Sequence, residues 1–385
     1  MRLGGLAVLL SALGPLAAFA LGACGTGDAK PGADAANDAP LPDGSSGDDG
    51  GDASCSPWSG TSPDGGSSGP CTGGPTATGD APITQDFGAD AGALSGTRKL
   101  GNLTYGNRGG RTLQGDLWVP QNVTGKPGVL VVIHGGGWND CNRRRDAIGG
   151  VAQAFAKRWG MGAFNVEYRL AQEGGVYPAN LMDVKCAVQW IALHAKDYGL
   201  DGSRIGVVGE SAGAHLALLL ATTEGRADLD PKCGGSDKLV AAVGFSGPYD
   251  LYAVEHGPSS ALRGAGATMA GGLCDVAPSS CVAGRACDRC LDAMPRAHAC
   301  AASARVLLVH AQDPNDPLLG QSQSQAMYDA LLSAGRNATL FVPGPSQMKG
   351  ALCPDPMGVA HGFSPCLLVP AFAPMDTIVA ATLAP

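Results

Sequence analysis

The sequence predicts an α/β fold, a mostly parallel central sheet with helices on both faces and a Cys-rich cap insertion. Three observations predict it. Short apolar strands alternate with helical segments from about residue 98 onward. Gly128–Ile133 is apolar along its whole length and Arg204–Gly209 is apolar after its first residue, as suits strands buried on both faces. A Gly-x-Ser-x-Gly turn, Gly209-Glu210-Ser211-Ala212-Gly213, joins the second of these directly to a helix.

The elements follow in order. Leu113–Val119 alternates like an early strand, and Gly128–Ile133 is the first buried one. Ala147–Trp159 has helical spacing, and Gly162–Tyr168 is the next strand. Pro178–Tyr198 is a long amphipathic helix with proline at its start, where a missing N–H costs little. Arg204–Gly209 leads into the helix Ala212–Thr223. Leu239–Phe245, Arg305–His310 and Ala338–Val342 are the remaining strands, interleaved with helices Ser324–Ala334 and Ala371–Leu383. Repeated βα units of this kind build a parallel sheet covered on both faces. Between Asp250 and Cys300 no strand is predicted, while Gly, Pro and five Cys accumulate; this stretch is expected to form a disulfide-braced cap.

The first 97 residues read differently. Met1-Arg2 precedes an apolar run, Leu3 to Leu21, that ends in Leu21-Gly22-Ala23-Cys24. A charged start, an apolar stretch and small residues before a cut describe a signal peptide over residues 1–23. The Leu-x-Ala-Cys ending resembles the lipobox of bacterial lipoproteins, which implies lipidation at Cys24 and attachment to a membrane of the cell envelope. Residues 24–97 are expected to be a flexible acidic tether, being rich in Gly, Asp, Ser and Pro with few groups to bury. Nine Asp stand against Lys30 between residues 25 and 82, which equals the whole-chain net charge of −8. The catalytic domain, residues 98–385, is thus close to neutral. No basic stripe for nucleic acid is present.

Thirteen Cys suit an oxidising compartment, and setting Cys24 aside leaves twelve for disulfides. Cys287-x-x-Cys290 has the spacing of a redox or zinc half-motif. The Cys on either side of it and the absence of a redox context favour structural bridges.

The chemistry centres on Ser211. A nucleophile elbow needs a strand–turn–helix context, with glycines where the backbone turns sharply and neighbouring chains pass close. His134-Gly135-Gly136-Gly137-Trp138 follows the strand Gly128–Ile133. A glycine run can present N–H groups to a developing oxyanion, each worth about 3–4 kcal/mol. The N–H groups of Gly136, Gly137 and Ala212 are the oxyanion-hole candidates, and His134 is expected to hold the loop. Of seven histidines, His361, beyond the last strand, gives the chain order Ser, acid, His. The acid is expected after the strand Arg305–His310, where Asp313 and Asp316 compete; Asp316 is favoured and Asp313 is the alternative, the other capping the loop. Such acyl transfer calls for no cofactor and no metal.

These motifs together resemble the hormone-sensitive-lipase-like and related carbohydrate-esterase branches of the α/β-hydrolases. The shared residues are His134 to Trp138, Glu167-Tyr168-Arg169-Leu170-Ala171, Tyr177-Pro178-Ala179 with Asp183, Arg204-Ile205-Gly206 before the elbow, Ser246-Gly247-Pro248-Tyr249-Asp250, and His361-Gly362-Phe363. The resemblance covers roughly residues 100–385. It implies an α/β-hydrolase fold and a serine carboxylic-ester hydrolase, with a small-molecule or polysaccharide ester as substrate. An esterase removing acetyl or feruloyl groups from plant polysaccharide is the narrower expectation, with Trp138 available to stack on a sugar. A binding protein on a hydrolase scaffold that has lost its activity is the alternative of another class. Departures from the family are a longer acid loop, the cysteine-rich segment 250–300 and a long His loop flanked by Cys353 and Cys366. A bridge between those two would pin the loop that carries His361.

Overall fold

The computed structural model describes residues 96–139, 148–257, 262, 264–271, 274, 287–344, 346–348 and 360–383. The expected signal peptide, Cys24 and nearly all of the expected tether lie outside the described residues. So does Cys353, and the side chain of Cys366 with it, so the proposed bridge between them falls there too.

Eight strands form one sheet: β1 (Thr97–Arg108), β2 (Arg111–Pro120), β3 (Val129–Ile133), β4 (Gly162–Val166), β5 (Ile205–Glu210), β6 (Ala241–Phe245), β7 (Arg305–Val309) and β8 (Ala338–Phe341). Their order across the sheet is β1-β2-β4-β3-β5-β6-β7-β8. Strand β2 runs antiparallel to β1 and β4, and the strands from β4 to β8 are parallel to one another. This is the α/β-hydrolase fold. Strands β3 to β6 are buried throughout, as the sequence predicts, and apolar except for Asn165 of β4 and Glu210 of β5.

The helices include α1 (Gly149–Trp159), α2 (Ala179–His194), α3 (Ala212–Thr222), α4 (Leu251–His256), α5 (Ala265–Met269), α6 (Cys287–Asp292), α7 (Ser322–Ser333) and α8 (Pro365–Met375). Two apolar cores form, one on each face of the sheet. Leu181, Val188, Leu216, Leu219, Met327 and Leu331 of α2, α3 and α7 fill the first. Phe155, Trp159, Leu367 and Met375 of α1 and α8 fill the second.

Strand β1 is an addition to the expected elements. It is largely exposed, and its pairing with β2 is interrupted twice, between Leu100 and Leu103 and between Thr104 and Gly106. Each bulge shifts the inward-facing set by a residue, so the apolar positions lose the period of two by which a strand is recognised.

The cap segment contains short helices, α4 to α6 and a 3₁₀ stretch Pro295–Ala301, and no strand among its described residues. A disulfide joins Cys274 to Cys290, and another joins Cys186 on α2 to Cys233. Cys290 is therefore neither a redox partner nor a zinc half-site with Cys287. Cys300 is disulfide-bonded as well. The cap is tied to the main body through Asp292. Tyr177 Oη donates to its Oδ2 at 2.6 Å, Arg226 donates to both carboxyl oxygens, and His298 Nε2 lies 3.3 Å from Oδ1. Burial would raise the Asp292 pKa, but the hydrogen bonds from His298, Arg226 and Tyr177 hold it well below the usual range. Burial, then the Asp292 charge, push the Tyr177 phenol upward.

Candidate active site

The parallel register delivers four loops side by side at the C-terminal edge of the sheet. Ile133 of β3 pairs with Gly209 of β5, so His134-Gly135 and Glu210-Ser211 leave the sheet together. Ser211 N–H donates to Phe245 O at the end of β6, and Ser246 N–H to Val309 O at the end of β7. His310 N–H in turn donates to Phe341 O of β8.

Ser211 sits at the turn with φ 51° and ψ −120°, a left-handed conformation unusual for a residue with a side chain. The elbow's glycines are required by close approach. A Cβ on Gly209 would meet Gly213 O at 2.1 Å, and one on Gly213 would meet Ile133 O at 2.3 Å. Only glycine lets α3 start this close to β3 and β5.

The loop after β3 is left-handed over three residues, with φ of 105° at Gly136, 58° at Gly137 and 58° at Trp138. No oxygen among the described residues accepts from the N–H groups of Gly136, Gly137 or Ala212. His134 is buried beneath the loop. Its ring stacks on Tyr168 at 4.4 Å, and Tyr168 Oη donates to His134 O. Trp138 does not stand open for a sugar. It is 2% exposed and meets the His215 ring edge-on at 5.2 Å. The left-handed run ends at this residue with the indole folded inward, which corrects the expectation of a stacking platform.

His361 meets Asp316 and not Asp313. Its Nδ1 lies 2.9 Å and 3.0 Å from the two Asp316 carboxyl oxygens, and its Nε2 has no hydrogen-bond partner among the described residues. Asp316 Oδ1 also accepts the N–H groups of Leu318 and Leu319. Burial would raise its pKa, but hydrogen bonds from His310 and His361 depress it, so Asp316 is ionised at neutral pH. Asp313 is exposed and accepts the Gln321 N–H at 3.0 Å, capping the approach to α7.

Two carboxylates have roles that sequence reasoning did not assign, although Asp183 belongs to the motifs that carry the family resemblance. Glu210, the variable residue of the elbow, is buried; its Oε1 accepts the Gly135 N–H at 3.3 Å and its Oε2 accepts the Phe363 N–H at 2.9 Å. It therefore joins the glycine loop to the loop that carries His361. No periodicity marks such a residue; the only signal is a carboxylate in the elbow. Asp183 is the second. It accepts from Arg169 N–H, Nε and Nη2 at 2.8–3.0 Å and fixes the segment after β4 to α2.

His215 on α3 is not available as a base. Burial pushes it down to about 3, and Nε2 contacts the cap at Ala293 O, 2.7 Å away. Among the described residues no group of three or more His, Cys, Asp or Glu is placed to hold a metal.

The probable carboxylic ester hydrolase LipM of Mycobacterium tuberculosis is 34% identical over 154 residues, which is 39% of this chain and 35% of LipM. The chain spans about a third of the length of the curated relatives it matches. Esterase B from Lactobacillus rhamnosis superposes with a TM-score of 0.56 at 18% identity, covering 76% of this chain and 88% of that one, a likeness of fold. The bifunctional GH43-CE protein of Bacteroides eggerthii superposes with a TM-score of 0.53 at 25% identity, over 64% of this chain and 35% of that one. The BD-FAE family model matches residues 115–331, which include the elbow, the glycine loop and Asp316. The chain belongs to the BD-FAE family.

Proposed function

We propose that this protein is a serine carboxylic-ester hydrolase working through an acyl-enzyme, with Ser211, His361 and Asp316 as its triad. One observation carries the reading: His361 Nδ1 rests on an ionised Asp316 while Nε2 stays unpartnered, in a loop that Glu210 holds to the elbow of Ser211.

The chemistry follows from these positions. His361 Nε2 takes the Ser211 hydroxyl proton as the oxygen attacks the ester carbonyl. The negative charge on the carbonyl oxygen is met by the N–H groups of Gly136, Gly137 and Ala212. The protonated His361, held by Asp316, gives its proton to the leaving alcohol. Water then enters, loses a proton to His361 and attacks the acyl-enzyme, releasing the acid and restoring Ser211. Every proton is accounted for by His361.

Covalent labelling tests the reading. A fluorophosphonate should modify the purified protein at Ser211, giving one added phosphonyl mass on the peptide that contains it. An unlabelled Ser211 peptide, or labelling elsewhere, contradicts the triad and favours a binding protein on an inactive scaffold.

A narrower substrate reading is an ester on plant polysaccharide, supported by the likeness to a protein named as a bifunctional GH43-CE. Release of acetate or ferulate from acylated xylan, compared with turnover of a short nitrophenyl ester, tests it. The Leu21-Gly22-Ala23-Cys24 motif supports export and lipid anchoring at Cys24. Incorporation of labelled palmitate, lost in Cys24→Ser, checks that assignment.

A further inference from the structure

A second imidazole stands beside Asp316, near the same carboxyl oxygen that His361 meets. His310 directly follows β7 and is fully buried. Its Nδ1 lies 2.8 Å from Ser324 Oγ of α7, and its Nε2 lies 3.1 Å from Leu319 O and 3.4 Å from Asp316 Oδ2. These partners fix the tautomer. The Leu319 carbonyl and the Asp316 carboxylate only accept, so Nε2 must carry the hydrogen. The neutral ring then offers a lone pair at Nδ1, and Ser324 can fill it by donating its hydroxyl hydrogen. Ser324 is itself fully buried, so it has little freedom to turn elsewhere.

We propose that His310 is a positioning residue for the catalytic acid, held in its donor tautomer by Ser324. This rests on the reading of Asp316 and His361 as partners of Ser211. The Nε2–H of His310 is shared between Leu319 O and Asp316 Oδ2. It thereby pins the carboxylate to the same loop whose Leu318 and Leu319 N–H groups hold Oδ1. Without it, one Asp316 oxygen keeps only His361 as a donor, and the carboxylate is held by one contact fewer.

The arrangement has an electrostatic consequence. A second donor at Asp316 draws off part of its negative charge, so Asp316 holds protonated His361 less tightly than a bare carboxylate would. Removing that donor should move the acid limb of kcat/KM to higher pH. The other ionisable groups nearby have their own partners. Glu210 faces Gly135 and Phe363, Asp313 caps the approach to α7, and Asp250 pairs with Arg296.

The test compares His310→Leu, His310→Gln and Ser324→Ala on a soluble nitrophenyl ester across pH. Glutamine can place an amide N–H where Nε2 stands; leucine cannot. The expected result for His310→Leu is a loss in kcat/KM of about tenfold to a hundredfold, the scale of one hydrogen bond to a buried charge. Its acid limb should also move upward, and His310→Gln should restore both values to near the wild type. Ser324→Ala should shift the limb in the same direction by less, and it serves as the decisive variant if His310→Leu does not fold. Wild-type kcat/KM and an unmoved limb in His310→Leu, or in Ser324→Ala if the leucine variant is unfolded, would overturn the proposal. Equal losses in the leucine and glutamine variants with an unmoved limb would overturn it too, leaving His310 as packing alone. Full turnover by Ser211→Ala would instead remove the triad reading on which the proposal rests.

Discussion

Glu210 Oε2 accepts the Phe363 N–H at 2.9 Å, across 153 residues of chain. Its other oxygen accepts the Gly135 N–H. One side chain next to Ser211 therefore ties the glycine loop after β3 to the loop that carries His361. Two N–H donors need two acceptor oxygens, which glutamine lacks. Glu210→Gln should turn its amide N–H toward one of these donors and lower kcat by about tenfold to a hundredfold, with KM little changed. Steady-state kinetics on a short ester checks this.

The two carboxylates of the acid loop should separate cleanly by mutation. Asp316→Asn keeps the shape but favours the wrong tautomer of His361, and should reduce kcat by about 10⁴-fold. Asp313→Ala should leave kcat near the wild type and cost about 1 kcal/mol of stability through the lost loop cap. Kinetics and thermal unfolding on both variants distinguish them.

The buried His215 makes stability depend on pH in a defined window. Its ordinary value is 6.5, and in the folded protein it is pushed down to about 3. Between those values the unfolded chain binds a proton that the native one refuses, so stability is full above 6.5 and falls as pH drops toward 3. His215→Gln can keep a donor to Ala293 O but cannot titrate. Its midpoint of thermal unfolding should fall less steeply than the wild type between pH 6.5 and 5.

Asp292 should matter more for the cap than for the chemistry. Asp292→Ala leaves Tyr177, Arg226 and His298 without their shared partner. Proteolysis of the segment 250–300 should become faster, while fluorophosphonate labelling of Ser211 persists. Unchanged proteolysis would show that the cap is held by other contacts.

Much of this molecule is legible in its sequence, for identifiable reasons. Strands β3 to β6 are buried on both faces, so their apolar runs carry the signal directly. The elbow is legible because close packing at Gly209 and Gly213 leaves no other residue possible. Strand β1 is not legible, since two bulges break its period. The choice between Asp313 and Asp316 needs the fold: both lie in one loop, and only the position of His361 separates them. Trp138 misleads because a left-handed residue turns its side chain inward, away from where its place after the glycines suggests. Glu210 acts through contacts distant in sequence, which no local pattern encodes.

The most direct measurement is the turnover of a short nitrophenyl ester by Ser211→Ala, with circular dichroism to establish that the variant is folded. A serine nucleophile predicts a fall in kcat of about 10⁴-fold or more with the fold intact. Turnover by the folded variant at the wild-type rate would contradict it.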